Sequence, residues 1–145
     1  CPKATESNFA KVNGEIILQN LMAFKNVFNG HSGSHSSGLG FDDIIDFEGF
    51  AKISVQINQK IDAAIAMAKQ LTQPGLLVEQ ALAQQANQTK TQCATQSLNA
   101  QNGNIDAVNF CALHGLIQAI NRQMRTDFVT IVNVDLPVRA QSDND

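Results

Sequence analysis

Cys93 and Cys111 each lie nine residues from Asn102, and Asn102-Gly103 is the strongest turn signal in the second half of the chain. If the flanking segments are helices folded back antiparallel about that turn, both sulfurs stand at one height, ~13 Å from the turn at ~1.5 Å rise per residue. A disulfide there staples a helical hairpin. Such bonds persist only in oxidising compartments, so the same spacing predicts a secreted or cell-surface protein. Neither cysteine belongs to a Cys-x-x-Cys pattern, which argues against redox catalysis. Cys1 makes the cysteine count odd. It is expected to enter an intermolecular bond, remain a free thiol or be a modified terminus left after removal of a leader.

Hydrophobic spacing predicts a mainly α fold: one domain over residues 1–145, built as a bundle of about four helices. Residues 7–28 carry Ile17, Leu21, Phe24 and Phe28 on one stripe, closed by Asn29-Gly30. Residues 30–40, nearly all Gly, Ser and His, read as a flexible loop. Asp42 and Asp43 suit the positive start of a second helical region, and Gly49 divides a short helix from a long one. The long one carries a seam of Ile57, Ile61, Ala64, Ala68 and Leu71 and stops at Gln73-Pro74-Gly75. A third helix is expected over residues 76–100, with a thin stripe of small residues that lets neighbours approach closely. A fourth, capped by Asn104 or Asp106, buries Phe110, Leu113, Ile117, Ile120 and Met124.

The end of the chain changes character. Residues 128–138 are dense in β-branched side chains and bounded by Pro137, the best strand propensity in the sequence. A strand with no hairpin partner must find an edge, so Phe128, Val129, Ile131, Val132, Val134 and Leu136 are the expected self-association residues. Residues 139–145 read as a polar tail.

Chemistry is thinly represented. His31 and His35 have the four-residue spacing of a helical zinc pair, but they fall in the Gly/Ser loop, so no metal site is expected. The acids Asp42, Asp43 and Asp46 cluster where a helix dipole favours them, and no rigid nucleophile–base pair is legible. No catalytic residue, cofactor or enzymatic activity is therefore expected. A net charge of −3 and the absence of Trp and Tyr argue against nucleic acid, and no apolar run reaches bilayer length. Asn87-Gln88-Thr89 is a glycosylation sequon on Asn87. Gln and Asn supply 29 residues, and between Glu79 and Asp106 Lys90 is the only charge. Charge-poor amide faces of that kind hydrogen-bond readily to copies of themselves. The expected function is a non-catalytic structural subunit of a fibre, coat or appendage whose partner is itself. The competing expectation is a secreted helical carrier whose eight Phe and three Met line a pocket for a hydrophobic small molecule such as a fatty acid.

Overall fold

The computed structural model describes residues 13–31, 38–72, 89–106 and 108–132. Among these it contains five helices and no strand. We number them α1 (Asn13–Phe28), α2 (Phe41–Phe47), α3 (Ala51–Leu71), α4 (Lys90–Gln101) and α5 (Phe110–Gln123). α5 runs on through a π-helical turn, Met124–Phe128, into a last α-helical turn, Val129–Val132.

Three of the five end in the same device. Gly30, Gly49 and Gly103 have φ of 64°, 87° and 86°. Each N–H bonds back three residues, while the following residue's N–H bonds back five, as in His31 to Asn26 O, Phe50 to Ile45 O and Asn104 to Asn99 O. This is the Schellman closure, which a left-handed residue makes possible and Gly adopts without strain. The helix starts were less legible. α4 begins after Thr89, whose backbone is extended and whose hydroxyl accepts the Gln92 N–H while the Gln92 side chain accepts the Thr89 N–H. That capping box breaks the single helix expected over residues 76–100. For α5 the cap is Asn109, whose side chain accepts from Ala112 N at 2.8 Å, and not Asn104 or Asp106.

The core forms around α3. Its seam residues Ile57, Ile61, Ala64, Ala68 and Leu71 are all buried, together with Leu21 and Phe28 from α1, Ile45 from α2 and Leu113, Leu116 and Ile120 from α5. Lys25 of α1 is ion-paired with Asp62 of α3. Ser54 of α3 donates its hydroxyl to Asp46 of α2.

The expected antiparallel hairpin is overturned, although its disulfide is present. Cys93 and Cys111 are bonded, with Cα atoms 5.2 Å apart. Further along, the Ser97 hydroxyl meets His114 Nδ1 at 3.4 Å, and Gln101 Nε2 donates to Gln118 Oε1 at 2.6 Å. Partner numbers rise together on the two helices, so α4 and α5 run parallel. The linker between them makes this geometry work by retracing α4. Asn99 Nδ2 donates to Asp106 at 2.9 Å, and Asn109 Nδ2 donates to Gln96 at 2.9 Å, so the linker descends as the helix rises. Equal offsets from Asn102 level the sulfurs in an antiparallel pair; a return strap followed by a parallel helix levels them equally well.

The C-terminal reading also changes. Phe128–Val132 is helical where a strand was favoured, while residues 133–138 lie outside the described residues. Continuity with α5 and tertiary packing override β propensity here. Thr126 and Thr130 turn their hydroxyls back onto Arg122 O and Thr126 O, and Phe128 packs edge-on against Phe41 with centroids 5.1 Å apart.

Candidate functional site

The side chains expected to mediate self-association are partly spent within the chain. Phe128 and Ile131 pack against the core, and Val129 and Val132 are half-buried on the same terminal turn. Val134 and Leu136 lie outside the described residues, as do Cys1, Asn87 and His35. His31 is exposed just beyond α1. Among the described residues no group of three or more His, Cys, Asp or Glu is placed to hold a metal ion.

Several of the amides bond to one another within the chain. Gln96, Asn99, Gln101, Asn109 and Gln118 join α4, its strap and α5 to one another. A second set crosses from α3 to α5, where Lys60 donates to Gln123 and Gln123 Nε2 donates to Gln56 at 3.3 Å. Burial there lowers the Lys60 ammonium below its usual pKa; Arg122 adds to the effect and Asp127 opposes it. These amides tie neighbouring segments together; of them Asn109 and Gln123 are buried, where an amide needs a partner.

The most exposed large apolar side chains among the described residues lie around α2. Leu39 is 91% exposed, Phe47 87% and Phe50 47%, with Ile44 at 38%. Only Ile45 on this helix is completely buried. Ile44 and Phe47 are one turn apart on the outer flank, Leu39 precedes the N-terminal cap Gly40, and Phe50 follows the Gly49 turn. Acids line the other flank: Asp42, Asp43 and Asp46, with Glu48 beyond the helix. Burial raises the Asp42 carboxyl above its usual pKa, and the charges of Asp43 and Asp46 push the same way against a bond from the Asp43 N–H. The helix is held rigidly despite its seven residues. Gly30, Gly38 and Gly40 meet backbone to backbone beneath it, where a Cβ on Gly40 would stand 2.4 Å from Phe28 O and Gly30 N. The ends of the loop at residues 30–40 are thus a packed junction.

Elsewhere Leu98 on α4 and Ile105 and Val108 on the strap are 56%, 44% and 49% exposed.

The short helix expected before Gly49 carries more apolar residues than so short an element can bury. The signal was available: Gly40 and Gly49 limit the element to two turns, and two turns cannot turn Phe41, Ile44, Ile45 and Phe47 all inward. On α1, a groove lined by Glu15, Ile16, Gln19 and Asn20 is open to solvent. Compared with known proteins, the chain matches no family model, no curated protein and no solved structure.

Proposed function

We propose that this chain is a non-catalytic structural subunit of an extracellular assembly, such as a fibre, coat or appendage, and that it associates with copies of itself. The observation that carries the proposal is the exposure of Phe47, at 87% on α2, and of Leu39, at 91% just before its cap, beside the close-packed glycine junction. A contiguous apolar surface on a soluble chain is stabilised by removal from water, which a protein partner provides. The Cys93–Cys111 bond supports an oxidising location, and it stabilises the pair of helices by about 3 kcal/mol on the loop-entropy estimate for its separation of 18. The contact surface is thereby moved from the C-terminal segment to α2, because Phe128 and Ile131 are engaged with their own core.

The test is sedimentation velocity over a wide concentration range on oxidised protein, with Phe47→Ser in parallel. Association of the parent that rises with concentration and is lost in the variant is the expected result. A parent that stays monomeric up to the highest soluble concentration would sink the proposal.

A further inference from the structure

Where α3 packs on the end of α5, two pairs of side chains meet: Gln56 and Lys60 from α3, Gln123 and Asp127 from α5 and its π-helical turn. Each pair is spaced by four residues, which puts its two members on one helix face. The pairs are in direct contact. Lys60 Nζ donates to Gln123 Oε1, and Gln123 Nε2 donates to Gln56 Oε1 at 3.3 Å. We propose that Lys60 and Gln123 become joined by an isopeptide bond that forms within the folded chain and braces α3 to α5. This brace is independent of the self-association proposed above.

The reaction balances without an oxidant, a reductant or a co-reactant. The neutral Lys60 amine attacks Cδ of the Gln123 carboxamide, and the bond from Cδ to Nε2 breaks. One proton passes from the attacking nitrogen to the departing one, so the products are a secondary amide and ammonia. Asp127, one turn beyond Gln123, acts on Lys60 through its charge and is placed to carry that proton.

Three features of the site favour this chemistry. First, two packed helices hold amine and carboxamide in contact, which makes their encounter unimolecular. Second, burial and the Arg122 charge favour the neutral amine, the form with a free electron pair, against the opposing pull of Asp127. Third, Gln123 is 9% exposed, so water has little access to its carbonyl carbon and Lys60 is the nucleophile within reach.

A closed bond between residues 60 and 123 also encloses Cys93 and Cys111. An end-to-end pull on the linked chain therefore bypasses the disulfide, and only Lys60→Met leaves the disulfide in the path of the force.

The test is mass spectrometry on the oxidised protein, before and after prolonged incubation, folded, at mildly alkaline pH. Intact mass should fall by one ammonia, and peptide mapping should recover a branched peptide joining Lys60 to Gln123. Neither Lys60→Met nor the parent incubated unfolded in urea should give that peptide. Asp127→Asn should form the bond more slowly, by roughly a hundredfold if the carboxylate carries the proton; a rate equal to the parent's would overturn that role. A folded parent that yields no branched peptide would overturn the brace. Loss of ammonia that maps instead to Asn29-Gly30 or Asn102-Gly103 would do so too, as would hydrolysis of Gln123 to Glu, which would show that water and not Lys60 reaches the carbonyl.

Discussion

Gly115 is where α4 and α5 come closest. A Cβ placed there would lie 2.1 Å from Ser97 O and 2.9 Å from Ser97 Cα, both backbone atoms that cannot swing aside. Gly115→Ala therefore forces the helices apart, and by analogy with overpacked cores should cost ~1–3 kcal/mol in denaturant unfolding. An unchanged midpoint would show that the two backbones are not in contact. Asp42 offers a second residue-level test. Its folded pKa is raised, so the native state holds this proton more tightly than the unfolded chain. Stability then falls as pH rises from the ordinary carboxylate range through the folded value, and the loss persists at neutral pH. Asp42→Asn should be more stable than the parent at neutral pH, with the gain shrinking on acidification. A gain that grows on acidification would reverse the assigned direction.

At the scale of elements, helix ends were unevenly legible. The stops at Asn29-Gly30, Gly49 and Asn102-Gly103 could be read because only a left-handed residue closes a Schellman turn cheaply, and Gly marks it in the sequence. The starts at Thr89 and Asn109 were missed because Thr and Asn are common in this amide-rich chain, and a cap is defined by a bond the sequence does not display. Helix direction was not legible at all. The spacing of Cys93 and Cys111 about Asn102 fits both a hairpin and a strap followed by a parallel helix, and only the pairing of residues further along separates them. An engineered pair tests this directly. With Gln101→Cys and Gln118→Cys, a short bismaleimide should join 101 to 118 while 93–111 stays bridged, as read by non-reducing peptide mapping, since Gln101 Nε2 and Gln118 Oε1 are 2.6 Å apart. In an antiparallel hairpin those positions would be ~24 Å apart, and no link would form.

For the whole molecule, the seam on α3 and the bundle class could be inferred from periodicity, because a buried face must repeat with the helix. The exposed apolar surface around α2 could not. Which apolar side chains stay outside depends on how many neighbours a short helix finds, and α2 finds them only on the side of Ile45. The Cys93–Cys111 bond has a mechanical consequence when the Lys60→Met chain is pulled from its ends. Tension travelling along the chain reaches Cys93 and crosses the sulfur bridge to Cys111, bypassing the 17 residues between them, one fewer than the separation of 18. The bypassed loop contains α4 and the strap, with Leu98, Ile105 and Val108. It carries no longitudinal force while the bridge is closed. Pulling single molecules by their ends should release roughly 60 Å more contour length after reduction than before, at ~3.5 Å per residue. A chain stretched until its other helices yield would still leave this loop unstretched.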